Sequence, residues 1–455
     1  MPCPFNFSRR SFLSGLAATA ALTGPAAAAN GQSSFAGSSF GSSKHGKDSS
    51  ADPAVPSLRT DADDPLDLPF HGEHQQGIVN PAQKYSEVVA LDIQFTGKSR
   101  LEELFRTITE RARVLTTGGA TAADGIAYPA GDSGELGPKL PTDSLSITLA
   151  VGDSLFDDRF GLKPHKPVHL SSMQAFADDT LKDELCHGDL ALQICADQHD
   201  TVIHALRDIL RHTRGDVAVR WRQNGYMNEP RPSGTQRNHL GFKDGIVNPA
   251  EKDQDKLVWA GADEPDWAAG GSYMVVRLIA MYTEFWDRIS IAEQEQIFGR
   301  DRATGGPLSG GDEHAEPNYL DDATGDVIPT DAHIRLANPR TPETSDQLML
   351  RRAYNYDNGV RDNGTLDVGL VFICFQQDLE RQFITVQKRL EGEPLADYIR
   401  PYGGGYFYAL PGVADDSDFF GRSLLQAWAS KPRQASLPCS ICETVQGELR
   451  CEARS

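Results

Sequence analysis

The hexapeptide Gly-Ile-Val-Asn-Pro-Ala occurs twice in this chain, at 77–82 and again at 245–250. Each copy stands ahead of the same succession of hydrophobic patterns, and that doubling constrains the fold more than any other feature. After the first copy, 86–95 reads as a strand, and 99–115 places Leu101, Leu104, Phe105 and Ile108 at the i, i+3, i+4, i+7 spacing of an amphipathic helix. Strand-like alternation returns at 144–152 and 189–197, a helical stripe at 200–212, and a last strand at 217–223. The second copy is followed by a strand at 271–282, a helix at 289–299, strands at 347–356 and 366–376, a helix at 379–390 and a strand at 404–412. A chain of 455 residues is longer than one hydrophobic core usually organises, so two similar units are expected.

The order β-α-β-β-α-β is that of the ferredoxin-like split βαβ arrangement. The sequence thus predicts an α+β protein of two tandem ferredoxin-like domains with antiparallel sheets, over 66–235 and 236–455. What precedes them differs in kind. Residues 1–29 join Arg9 and Arg10 to an Ala/Leu stretch with a small-residue end, which reads as an export signal. The pattern Ser8-Arg9-Arg10-x-Phe12-Leu13 resembles the twin-arginine type, which exports folded proteins, so the expected location is the periplasm, cell envelope or extracellular space. Residues 30–65, rich in Ser, Gly, Asp and Pro, have almost nothing to bury and read as a disordered linker. No apolar run reaches the roughly 18 to 20 residues of a membrane-spanning helix. Removing 1–29, which carry two arginines and no acidic residue, takes the formal charge from −20 to −22. Such a surface argues against nucleic acid as a partner, because phosphate binding needs clustered Lys and Arg. Among the seven cysteines, Cys439, Cys442 and Cys451 form a C-x2-C-x8-C tail. Three thiols are an incomplete zinc set, and a local disulfide in an oxidising compartment is the preferred reading.

If the halves share a fold, chemistry belongs to what only one of them has. Asp244 precedes the second hexapeptide where Gln76 precedes the first. The second half also carries a long connection, 300–346, with His314 and His333, and then Arg351 and Arg352 in Leu-Arg-Arg-Ala-Tyr-Asn-Tyr. Connections beyond about 15 residues without secondary structure tend to be functional.

These segments resemble a known family. Asn-His-Leu-Gly-Phe-Lys-Asp-Gly-Ile-Val-Asn-Pro contains Gly241-x-x-Asp244-Gly245, similar to the G-x-x-D-G motif of the dye-decolorising (DyP-type) peroxidases. Ala-His-Ile-Arg-Leu-Ala-Asn-Pro-Arg resembles that family's proximal-histidine segment, and Leu-Arg-Arg-Ala-Tyr-Asn-Tyr its distal-arginine segment. The resemblance runs from about Leu66 to about Trp428 and is greatest to the branch of haem deferrochelatase/peroxidases linked to bacterial ferrous-iron uptake. It does not explain the three-cysteine tail.

The resemblance implies one haem b per chain, held by the C-terminal domain, with His333 as axial ligand of the iron. A haem peroxidase needs a neutral imidazole whose second nitrogen donates a hydrogen bond; the residues alone leave His314 open as that ligand. Asp244 is implied as the acid/base that moves the peroxide proton, and Arg351 as the cation beside the cleaving O–O bond. Gly245, Ile246, Val247, Asn338, Pro339 and Arg340 are implied to line the haem, with Arg340 or Arg352 as propionate partners. The expected function is peroxide-driven oxidation of small organic donors through a ferryl intermediate. Release of iron from intact porphyrin, with haem or porphyrin as the partner, is the alternative, and a non-catalytic haem carrier the second. Partners from an iron-uptake system and a homodimeric state are further implications of the family.

Overall fold

The computed structural model describes residue 66 and residues 68–120, 127–429, 443–445 and 448–450. The export-signal and linker readings, and the three tail cysteines, lie outside the described residues. Within them no helix is long and apolar enough to cross a membrane.

The first half contains β1 (Tyr85–Ile93), α1 (Lys98–Thr117), β2 (Ser146–Gly152), β3 (Leu190–Ala196), α2 (His199–His212) and β4 (Val217–Tyr226). All its pairings are antiparallel, in the spatial order β2-β3-β1-β4. The second half contains β5 (Ser272–Met281), α3 (Ile291–Phe298), α4 (His333–Ala337), β6 (Tyr354–Val360), β7 (Leu366–Gln376), α5 (Thr385–Leu390) and β8 (Ile399–Ala409). Its order is β8-β5-β7-β6, again antiparallel, so in both halves the first and third strands are central. The two sets of strands do not remain separate sheets. β8 pairs β2 through Phe407–Ala409 and Ala150–Gly152, β4 pairs β6 at Tyr226 and Asn355, and the eight strands close on themselves.

Alternation along the strands supplies two cores. Val88 and Ala90 of β1, Ala150 of β2 and Ala191 of β3 pack in one cluster with Met274, Val276, Phe375 and Phe407 of the second half. The opposite face of β1, with Val89 and Leu91, packs under Leu101, Leu104, Phe105 and Ile108 of α1. α3 starts one residue after Ser290, whose hydroxyl accepts from the Glu293 amide at 3.2 Å, and stops at Gly299 with φ 80°. The strand expected at 347–356 is broken: Leu350–Arg351 pairs β7 at Cys374 and Phe375, and β6 starts only at Tyr354. The break falls where Arg351 directs its amide to the Asn248 side chain, at 2.8 Å, instead of to a neighbouring strand.

The two hexapeptides are loops that lead into the sheet. Gly77 has φ 92°, and a Cβ there would stand 2.3 Å from Thr148 Oγ1; only glycine suits both conditions. Gly245 has φ 104°.

One strand residue departs from the apolar pattern of its surroundings. Glu87 of β1 is fully buried, neither carboxylate oxygen has a hydrogen-bond partner, and Arg222 Nε lies 3.7 Å away. Burial pushes its pKa up to about 7, with Arg222 opposing. A raised carboxyl pKa means that the native state holds a proton the unfolded chain has released. The associated stability is full below about pH 4.5 and is lost as pH rises through about 7. Glu87→Gln is therefore expected to stabilise the protein at pH 8 by roughly 2 to 3 kcal/mol relative to its effect at pH 4. Urea unfolding at both pH values checks this; equal effects at the two would contradict it.

Candidate active site

The second half encloses a cavity of about 240 Å³ whose floor is Ile279 and Met281 of β5 with Leu370 and Phe372 of β7. α5 and the turn before it add Phe383, Val386 and Leu390. These strands present alternate residues to one face, so a flat apolar floor follows directly from the pleat. Against it stand three polar groups of residues brought from distant parts of the chain.

On one side is His333, the first residue of α4. Its Nδ1 lies 2.8 Å from Glu393 Oε2, and Glu393 is itself buried. A carboxylate on Nδ1 fixes the proton there, leaving the Nε2 lone pair free to bind a metal and making it a stronger donor. Burial alone would push this imidazole down in pKa. The charge and hydrogen bond of Glu393, aided by Asp244 and opposed by Arg351, leave it above its ordinary value.

A second group consists of Asp244 and the first residues of the second hexapeptide, Gly245, Ile246 and Val247, together with Arg351; the two hexapeptides, each with its preceding residue, are the first and second leader peptides. Arg351 Nη1 lies 3.5 Å from Asp244 Oδ1, and Nη2 donates to the Val247 carbonyl at 3.2 Å. Asn248 holds the Arg351 backbone on both sides: Oδ1 accepts its amide at 2.8 Å and Nδ2 donates to its carbonyl at 3.3 Å. Asp244 Oδ2 is 3.4 Å from Asn238 Nδ2. Asp244, Gly245 and Arg351 also wall a second, smaller cavity on their other side.

The third group is cationic. Arg300 is buried, with Nη1 donating to the Gly305 carbonyl at 2.6 Å and to that of Glu313 at 3.0 Å. Burial pushes its pKa down to about 10, so it stays charged at neutral pH. Arg340 has φ 57°, an uncommon value outside glycine, and pairs with the exposed Glu316 at 3.0 Å. The wall as a whole carries Lys243, Arg277, Arg300, Arg340 and Arg351 against two carboxylates, Asp244 and Glu393. Lys243 and Arg277 are neutralised in buried ion pairs with Glu313 and Asp179, whereas the Glu316 partner of Arg340 is exposed. Arg300 and Arg340 thus offer positive charge to an anion in a chain of net charge −20.

Of the residues singled out from sequence, the structure puts Asp244, Gly245, Ile246, Val247, His333, Asn338, Arg340 and Arg351 on this wall. Pro339 does not line it. His314 does not either: it lines the smaller cavity, half exposed, with Nε2 3.3 Å from Glu313 Oε1. Arg352 corrects the alternative that it holds a propionate. It faces away from the large cavity, almost wholly buried, and binds the first leader peptide. Glu393 and Arg300 were not singled out. Neither belongs to a motif or periodic stripe, and each acquires its place only from the tertiary fold.

One imidazole backed by a carboxylate, an acid and a guanidinium on the wall of one largely apolar cavity, and two cations for acidic substituents: these donors fit a haem. Among the described residues no cluster of three His, Cys, Asp or Glu offers a protein-only metal site. Fold and cavity together define the class, a haem-dependent enzyme.

Comparison with known proteins agrees with that class. Residues 75–227 match the family model "Dyp-type peroxidase, N-terminal" and residues 235–414 match "Dyp-type peroxidase, C-terminal". The chain is 52% identical over 368 residues to a deferrochelatase of Escherichia coli K12, covering 79% of this chain and 87% of that one. It is 50% identical over 368 residues to a deferrochelatase of Yersinia pestis, covering 79% and 85%. Among solved structures, a DyP-type peroxidase from Cellulomonas bogoriensis superposes with a TM-score of 0.71 at 36% identity, over 79% of this chain and 98% of the other. Ferric DtpA from Streptomyces lividans gives 0.71 at 34%, over 80% and 98%. The chain belongs to the Dyp-type peroxidase family.

Proposed function

We propose that the chain is a haem peroxidase that binds one haem b in the large cavity of its second half. The reading rests on one observation above the others: His333 on Glu393 lines the same cavity as Asp244 with Arg351. Each half is read as a ferredoxin-like unit, with the haem carried by the second. His333 Nε2 would bind the iron, the apolar strand floor would face the macrocycle, and Arg300 and Arg340 would take its propionates. When bound, the haem supplies the electrons for cleaving peroxide and accepts them back from organic donors.

The chain's own residues would then move protons and stabilise charge. Asp244, as carboxylate, accepts the proton that hydrogen peroxide loses on binding and returns it to the other oxygen, which leaves as water. Arg351 stabilises negative charge building on that leaving oxygen, and its cation persists at any physiological pH. A non-catalytic carrier needs neither group, and placing both at a cavity wall without a task would cost free energy.

A second reading is favoured by the relatives named deferrochelatase, in which iron leaves and porphyrin remains intact. The same reading includes twin-arginine export of the folded chain to the periplasm or cell envelope, work beside an iron-uptake system, and a homodimer. Fractionation of cells carrying Arg9→Lys with Arg10→Lys checks the export route, normal export counting against it.

The test of the main reading is to purify the chain with haem and extract the cofactor, which should be haem b at one per chain. Hydrogen peroxide is then supplied with and without an organic donor. Oxidised donor with haem intact is the peroxidase result, whereas metal-free protoporphyrin in the extract is the deferrochelatase result. A chain that retains haem and does neither is the carrier, and the absence of a Soret band would overturn all three.

A further inference from the structure

The doubled hexapeptide has a use that neither copy shows alone. Arg351 and Arg352 are adjacent, only Arg351 lines the large cavity, and each takes one copy. Arg351 is bound to the second leader through Val247 and Asn248. Arg352 donates through Nη1 to the carbonyls of Ile78, at 3.4 Å, and Asn80, and through Nη2 to Gln83 Oε1 at 2.9 Å. Gln83 is anchored in turn, with Nε2 donating to Ser144 O at 2.8 Å and Ser146 Oγ at 2.9 Å.

The two asparagines at the fourth place of the hexapeptide are used differently. Asn80 turns inward, accepting the Gly77 amide at 2.6 Å and donating to the Pro81 carbonyl at 3.0 Å, while the carbonyls of Ile78 and Asn80 go to Arg352. Asn248 turns outward and holds the Arg351 backbone. Arg352 is 1% exposed, and none of these three acceptors is a carboxylate. A buried guanidinium whose Nη1 and Nη2 donate to three oxygens of the other half, with Nε left unpartnered, is still a firm anchor, and one peptide bond separates it from Arg351.

We propose that Arg352 is a positioning residue for the peroxide reaction: by binding the first leader it fixes the Arg351 guanidinium against Asp244. The inference rests on the reading of Arg351 as the cation on the peroxide side. The first leader thereby serves the site from the half that has no counterpart of Asp244, His333 or Arg351.

Lysine keeps the charge at 352 but cannot reach three acceptors with a planar fork. In haem-loaded Arg352→Lys the reaction with hydrogen peroxide is expected to slow about tenfold, in the range of supporting groups around a bound metal. Affinity for fluoride, an anion that reports donors held near ferric haem, should fall by a similar factor at unchanged haem content. Gln83→Leu, which removes one of the three acceptors, should give the same pattern more weakly, and serves if the lysine variant does not fold. Arg351→Leu with Arg352→Lys should be no slower than Arg351→Leu alone, because a residue acting through another adds nothing once that one is gone.

Wild-type peroxide rate and fluoride affinity in a variant that has only lost melting temperature would make Arg352 merely structural and overturn the proposal. Multiplying effects in the double variant would do so too. If Arg351→Leu itself reacts at the wild-type rate, the reading of the site fails first, and the positioning role fails with it.

Discussion

Arg351→Leu and Asp244→Asn are each expected to slow the reaction with hydrogen peroxide by roughly 10² to 10⁴ while leaving haem bound. The two losses have different causes. Asparagine fills the aspartate's space, and its amide nitrogen could even hydrogen bond, but it cannot take up the peroxide proton. Leucine removes the cation at 3.5 Å from Asp244 and the hydrogen bond to the Val247 carbonyl. The two side chains touch, so their effects should not multiply in the double variant. Neither contacts His333 or Glu393 through a hydrogen bond, and haem content should hold. Stopped-flow absorption after mixing with peroxide is the measurement; wild-type rates in both variants would return Asp244 and Arg351 to a structural role. Gln76→Asp in the first leader is the control and should neither add activity nor bind a second haem.

The second large effect concerns His333 and Glu393 on the same cavity wall. His333→Ala is expected to abolish or greatly weaken haem retention, since no other histidine is on that wall. Glu393→Gln should be milder and more informative. Glutamine keeps an acceptor for the Nδ1 proton but removes the charge that makes the imidazole a strong donor, and losses of 10- to 100-fold in cofactor affinity are usual for such partners. Haem transfer to apomyoglobin measures both. Full retention in His333→Ala would move the axial role elsewhere, and unchanged affinity in Glu393→Gln would mean that the carboxylate only packs there.

Much of the fold was legible because local signals agree with the tertiary result. The stripe of Leu101, Leu104, Phe105 and Ile108 is the buried face of α1, and the order of strands and helices appears in each half as the hydrophobic periods describe it. Asp244, Arg351, His314 and His333 stand out in the sequence because the halves can be compared and only one has them, and the family resemblance chose His333 between the two histidines. Closure of the two sheets into one was not legible. It depends on three backbone pairs at one junction and one at the other, and such short contacts leave no pattern to read. Glu393 sits in a turn beyond α5 and reaches His333 only because that turn passes beside α4. For Arg352, alternation gave its side of the strand but not what lay there, since its partners are carbonyl oxygens 272 and 274 residues away that no side-chain identity announces.

The closed sheet bears on how a doubled chain avoids pairing with other copies through its strand edges. An open antiparallel sheet ends in unpaired amides and carbonyls that can template another chain, and a repeat offers two such ends of matching shape. Head-to-tail addition through matching edges has no natural stop and leads to fibres. Here the ends of each half are occupied by the other half, so self-recognition is consumed within the molecule and polymerisation loses its template. The protection is uneven. The junction of β4 with β6 rests on the single pair Tyr226 and Asn355, so it is where the ring would part first and where exchange of halves between two molecules would begin.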